Sequence, residues 1–226
     1  MRIEAGQKLL FIGDSITDCD RAKPEGEGLF GAHGNGYVSF VNGLLTAVYP
    51  ELGIRVVNKG ISGNTVRDLK ERWQEDVINQ KPDWLVIMIG INDVWRQYDV
   101  PFIKEKHVYM DEYEETLRKL VIETKPLVKG LVLMTPFYLE NNVQDPMRQT
   151  MDQYGKVARK AAEENGCLFV DTQAAFNEIL ESLYPAALAW DRVHPSAAGH
   201  IVLAKAFLKE IGFNWDRSKL EIKGSC

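Results

Sequence analysis

The sequence predicts an α/β fold, with helices layered on both faces of one parallel sheet. Two observations predict it. Five short runs rich in Leu, Ile and Val are almost continuously apolar, as strands covered on both faces must be. Longer amphipathic stretches alternate with them in the β-α-β order that winds a parallel sheet.

The elements follow in order. "KLLFI" (8–12) is the first expected strand, and "GYVSFVNGLLTAVYP" (36–50) a helix that stops at Pro50. "IRVVN" (54–58) is the second strand. "TVRDLKERWQEDVINQ" (65–80) places Val66, Leu69, Trp73 and Val77 at spacings of three and four, one face of a helix. "WLVIMI" (84–89) is the third strand, followed by the helix "DEYEETLRKLVIET" (111–124). "GLVLMT" (130–135) and "CLFVD" (167–171) complete the strands. "DPMRQTMDQYGKVARKAAEEN" (145–165) and "SAAGHIVLAKAFLKEI" (196–211) complete the helices. Right-handed crossovers between such elements give a doubly wound, three-layer α/β/α fold of flavodoxin-like type with a five-stranded parallel sheet. Function in this architecture sits outside the carboxyl ends of the strands. No repeat, low-complexity segment or linker interrupts the pattern. The expectation is one domain over 1–226, with a core of about 8–212 and a polar C-terminal tail at 213–226.

Composition narrows the function classes. With 226 residues, 45% hydrophobic and 26% charged, the chain can fill a core and lacks the signature of disorder. A formal net charge of -5 argues against a nucleic-acid partner, which would favour a basic face. Cys19, Cys167 and Cys226 are far apart and odd in number, with no C-x-x-C spacing, so reduced thiols in a cytoplasmic protein are expected. The start, "MRIEAGQKLLFIGDS", lacks a signal-peptide pattern. No stretch approaches the ~20 apolar residues of a membrane span. A cytoplasmic protein with no membrane partner is therefore expected.

Ser15, in "LLFIGDSITDCD", falls just past the first strand, where this architecture places chemistry. It reads either as a nucleophile or as a turn residue that, with Asp14, caps the next segment. A nucleophilic serine needs a base. Of the four histidines, His194 in "AWDRVHPSAAGH" is the candidate, with Asp191 three residues before it. One turn of chain can join those side chains, so that the acid holds the imidazole tautomer and stabilises the imidazolium. The competing reading pairs Asp191 with Arg192. His200 is expected to pack inside the last helix, His33 to line the site from a Gly-rich loop, and His107 to lie at the surface. A metal set of Asp191, His194 and His200 lacks a further carboxylate or cysteine cluster, so no metal or cofactor is expected. Acyl transfer also needs donors for an oxyanion. "NKGISGNT" (58–65) offers a backbone N–H at Gly63, and "IGIND" (89–93) the Asn92 side-chain amide. Both follow strands neighbouring the first.

Taken together, "GDSIT", "GISGNT", "GIND" and "DRVHP" resemble, in order, the four signature blocks of the SGNH (GDSL-type) hydrolases, over about Lys8 to Gly212. Ile16 stands where the name pattern has Leu. The resemblance implies Ser15 as nucleophile, His194 as base and Asp191 as third triad member. It implies the Ser15 N–H, the Gly63 N–H and the Asn92 side chain as oxyanion donors. "CDRAKPEGEGLFGAHGNGYV", "INDVWRQYDVP", "QDPMRQTMDQYG" and "YPAALAWDRVHPS" further resemble intracellular acetylxylan esterases of bacilli. That implies a small acetylated xylo-oligosaccharide as substrate. Asp14, Asn64, Trp95, Tyr184 and Trp190 are candidate substrate contacts. The three aromatics could stack on a sugar or simply pack in the core. Other acyl esters, an acyl thioester or a lysophospholipid, remain open, as does a non-catalytic carbohydrate-binding protein on the same fold. "GEGLFG" (26–31) matches G-x-G-x-x-G but is separated from the first strand by Pro24 and a loop, so it is read as a loop near the site. "FNWD" (213–216) reads either as a contact in a homo-oligomer or as packing on its own domain.

Overall fold

The computed structural model describes residues 1–217. Among the described residues five strands form: β1 (Lys8–Gly13), β2 (Arg55–Asn58), β3 (Trp84–Met88), β4 (Gly130–Met134) and β5 (Leu168–Val170). All neighbouring pairs are parallel, in the order β2-β1-β3-β4-β5. Leu10 stands opposite Val57 on one side and Leu85 on the other. Every residue of β3 and β4 is buried, which explains why those runs contain no polar residue.

The expected helices appear, most with trimmed ends, and the one expected over 111–124 starts a residue earlier. They are α2 (Tyr37–Val48), α3 (Val66–Trp73), α5 (Met110–Thr124), α6 (Pro146–Glu164) and α9 (Ala197–Glu210). Caps set several of their starts. Thr65 and Asp68 form a reciprocal capping box on α3, and Asp145 caps α6 ahead of Pro146. The helix expected to run to residue 80 leaves α geometry after Trp73 and continues as one wide π turn, Gln74–Ile78. Val77 nevertheless stays buried. Four short helices lie where the sequence pattern is too brief to show a period: α1 (Ser15–Asp18), α4 (Ile91–Asp99), α7 (Thr172–Leu180) and α8 (Pro185–Leu188). Helices α2, α7 and α8 each pack against α9, while α3 and α6 each pack against α5.

Strand order places the site. The chain leaves β1 for one neighbour, β2, then crosses back to the other neighbour, β3. The loops leaving β1 and β3 diverge, opening a crevice at their carboxyl ends.

The C-terminal segment departs from the expectation of a polar tail beginning at residue 213. Phe213 is in the core, its ring 5.3 Å from that of Tyr49, and the Arg217 guanidinium covers the Tyr49 ring at 4.2 Å. Trp215 packs on Phe213 and is half exposed. The rest of the tail, 218–226, including Cys226, lies outside the described residues. Among the described residues, no helix is long and apolar enough to cross a membrane.

Candidate active site

β1 runs into α1 through Asp14, so Ser15 is the first residue of that helix. The Asp14 carboxylate caps the turn by accepting from the Ile16 N–H at 3.0 Å. Asp14 is an expected substrate contact, but it is 1% exposed and turned into the protein. Burial pushes its carboxyl up to about 7, against the opposing pull of the Ile16 N–H and of His194.

The loop after β2 is held against α1 by buried polar groups. The Asn58 amide donates to the Thr17 carbonyl at 2.6 Å and to the His33 carbonyl at 2.9 Å. Its Oδ1 accepts from the Gly60 N–H at 2.8 Å. A side chain at Gly60 would meet the Asp18 backbone nitrogen at 2.2 Å, so only glycine permits this approach. Asp18 takes both the backbone N–H and the hydroxyl of Ser62, each at 3.1 Å. The next turn places Gly63 at φ +83 with open space beside it, so the requirement there is backbone conformation alone.

Asn92 is the second residue of α4, directly after β3, and is buried. Its Nδ2 donates to the Asn64 carbonyl at 3.0 Å, tying the third block to the second. Arg96, one turn on, donates to Asn92 Oδ1 at 3.3 Å, which orients the amide with its NH₂ toward the loop. Asp93 accepts from the Val66 N–H at 3.0 Å, fastening the start of α3 to α4. Burial pushes its carboxyl up to about 8. Asn64 is a second expected substrate contact whose side chain is engaged elsewhere. Its Oδ1 accepts from Arg72 Nε at 2.7 Å.

From the far end of the chain, His194 reaches Ser15. Its Nε2 lies 2.9 Å from Ser15 Oγ, and its Nδ1 lies 2.6 Å from Asp191 Oδ2. Asp191 Oδ1 accepts from the backbone N–H groups of Val193 and His194 at 3.0 and 2.7 Å. Burial works against charge on Asp191, but the His194 ring and these N–H groups outweigh it and hold its carboxyl below the usual range. An ionised Asp191 only accepts, so Nδ1 carries the imidazole proton and Nε2 is free to take another. Arg192 pairs with Glu140 rather than with Asp191, and its backbone turns at φ +64. That turn lets the carboxylate and the ring share one side of the loop.

The remaining candidates divide by exposure. The Trp95 ring stands edge to face with His194 at 5.7 Å, and the Arg96 guanidinium lies 4.6 Å from its centre. Tyr184 and Trp190 are 73% and 89% exposed, on the segment that leads into Asp191. His200 packs within α9 as expected. His33 and His107 do not lie where the sequence suggests. His33 is buried on the Val56 carbonyl, and His107 is buried between the Val100 carbonyl and the Tyr109 hydroxyl. The 26–31 loop is pinned at Gly26 to Asn58, with Leu29 and Phe30 exposed. Among the described residues, no three His, Cys, Asp or Glu side chains gather as a metal set. Asn58, Asp18, Arg72 and Arg96, which brace the site, carry no motif. Their partners are backbone groups and side chains brought close by the fold.

Known proteins resemble this chain over nearly its whole length. The GDSL-like Lipase/Acylhydrolase family profile matches residues 11–202. An acetylxylan esterase from Geobacillus stearothermophilus is 78% identical over 219 residues, 97% of this chain and 100% of its own. The crystal structure of Axe2, an acetylxylan esterase from that organism, matches with a TM-score of 0.95 at 78% identity, covering 97% of this chain and 100% of that one. Structures of its S15A, D191A and H194A forms are described as catalytic mutants. LAE5, an alpha/beta hydrolase enzyme from the metagenome of Lake Arreo, is 55% identical with a TM-score of 0.93, covering 94% of this chain and 98% of its own. With the family profile running through most of the sequence and a relative of this identity aligned end to end, the chain belongs to the GDSL-like lipase/acylhydrolase family.

Proposed function

We propose that this chain is a serine esterase that removes acetyl groups from acetylated xylo-oligosaccharides through an acyl-enzyme, with 8–212 acting as one catalytic domain. The observation that carries the mechanism is the continuous relay Ser15 Oγ–His194 Nε2 at 2.9 Å and His194 Nδ1–Asp191 at 2.6 Å. The substrate class rests on the 78% identity to an acetylxylan esterase. The positions of the three catalytic mutants of Axe2 support the roles given to Ser15, Asp191 and His194.

His194 Nε2 takes the Ser15 hydroxyl proton as Oγ bonds to the acetyl carbonyl carbon. The negative charge on the carbonyl oxygen is met by the Ser15 N–H, the Gly63 N–H and the Asn92 amide. Asp191 stabilises the imidazolium. Collapse breaks the bond to the sugar oxygen, which leaves with the proton from His194. Water then gives a proton to His194 and attacks the acetyl-enzyme, and acetate departs as Ser15 regains its proton. Trp95, Tyr184 and Trp190 offer apolar faces to the sugar ring. The free thiols of Cys19 and Cys167 support a cytoplasmic setting.

The test is product analysis on acetylated xylo-oligosaccharides with the wild-type protein and Ser15→Ala. Acetate release that vanishes in the folded variant is the expected result, and near-normal release would overturn the mechanism. A strong preference for 4-nitrophenyl octanoate over the acetate would overturn the deacetylase reading in favour of a longer acyl chain. Sugar binding without covalent labelling of Ser15 by an organophosphonate would overturn catalysis altogether.

A further inference from the structure

The three segments credited with oxyanion donors follow different strands, and one side chain links them from behind. Arg72, in the last turn of α3, is 13% exposed in its side chain and touches none of the reacting groups. Its Nη2 donates to the carbonyl of Gly13, two residues before Ser15, at 3.1 Å. Its Nη1 donates to the Lys59 carbonyl at the exit of β2 at 2.8 Å. Its Nε donates to the Asn64 side chain at 2.7 Å, next to Gly63. The carbonyl of the same Asn64 accepts from Asn92 Nδ2. A single planar guanidinium therefore spans the Ser15 and Gly63 loops and reaches Asn92 through one residue.

The group is itself anchored. Asp76, in the π turn that ends α3, accepts from Nη1 at 2.8 Å and lies 3.3 Å from the Lys59 ammonium. Lys59, 4% exposed in its side chain, also pairs with Glu25 at 2.7 Å. The wide turn shifts the chain after Trp73 and presents Asp76 to Arg72 one turn away. The fork geometry matters, because a lysine could reach one of these acceptors but could not span three.

We propose that Arg72 is the positioning residue of the oxyanion hole, setting the spacing between the Ser15, Gly63 and Asn92 donors. This rests on the esterase reading above. Donors that stabilise a transient charge act only when their distance to it is already correct, so a loose loop lowers turnover more than substrate affinity. Arg72 thus affects chemistry through the segments it holds at Gly13, Lys59 and Asn64, without meeting substrate.

The experiment is steady-state kinetics on 4-nitrophenyl acetate with Arg72→Gln, Asn92→Ala and the double variant, each checked for folding by circular dichroism. Arg72→Gln is expected to lose about tenfold to a hundredfold in kcat with KM within about twofold of wild type. The double variant is expected to lose clearly less than the product of the two single losses, because both changes act on one unit. Losses that multiply in the double variant, or an unchanged kcat in folded Arg72→Gln, would overturn the proposal. If Arg72→Gln does not fold, Asn64→Ala, which cuts only the Asn64 link, is judged by the same two criteria. Ser15→Ala run alongside separates the two ideas. Retained activity there sinks the esterase reading. An inactive Ser15→Ala beside an undiminished Arg72→Gln sinks only the role of Arg72.

Discussion

His200 should make the fold behind Ser15 sensitive to acid. It is 4% exposed on α9, and its Nδ1 accepts the Tyr37 N–H at 3.2 Å. The neutral ring therefore carries its proton on Nε2, which lies 3.3 Å from the Cys19 sulfur. Cys19 in turn reaches the Ser15 carbonyl at 3.5 Å. A second ring proton would have to face the Tyr37 N–H with no acceptor. Burial, helped by repulsion from His194, pulls the His200 pKa from 6.5 to about 4. A folded pKa below the unfolded one means full stability above about pH 6.5, lost as pH falls toward 4. The whole effect is about 3 kcal/mol, of which about 2 kcal/mol is gone by pH 5. Asp14 and Asp93, pushed up to about 7 and 8, act in the opposite direction, their contribution fading as pH rises. The check is therefore a difference. Urea unfolding of wild type and His200→Gln, followed by tryptophan fluorescence at pH 7.5 and pH 5, should show wild type losing about 2 kcal/mol more than the variant on acidification. A stability gap between the two proteins that stays constant within about 0.5 kcal/mol would refute the reasoning.

Three further outcomes follow from the site. Ser15→Ala should lower kcat on 4-nitrophenyl acetate by several orders of magnitude with the fold intact by circular dichroism. Asn92→Ala should cost roughly a hundredfold or more in kcat, and an unchanged kcat would remove it from the oxyanion hole. Gly63→Ala meets no atom within 4 Å, yet its φ of +83 should cost about 1 kcal/mol in urea unfolding and lower kcat as the loop relaxes. Unchanged stability and turnover would mean that the loop does not need the left-handed backbone there.

Arg192 and Asn58 mark the boundary between what is legible in the chain and what is not. The Asp191–His194 spacing suggests a local pair, but nothing in the spacing says that Arg192 turns to φ +64 and pairs with Glu140 instead of competing. Asn58 is an ordinary residue at a strand end until three backbone groups from 17, 33 and 60 converge on it. Asn64 looks like a substrate contact by its place in the motif, yet Arg72 claims its side chain. His107 looks like a surface residue by its polar neighbours, yet the chain folds back on it through Val100 and Tyr109.

The sequence by itself determined the class of sheet, the strands and the long helices, because burial on both faces leaves a continuous apolar run and burial on one leaves a period. It also determined which residue types stand at which strand ends, since motif blocks are local. Only the tertiary structure decided what braces them: Arg72 across the Ser15 and Gly63 loops, Asp93 on α3, Asn58 beneath α1 and His200 behind Ser15. Those contacts join residues far apart in the chain and depend on distance and direction in space, for which a one-dimensional pattern holds no signal.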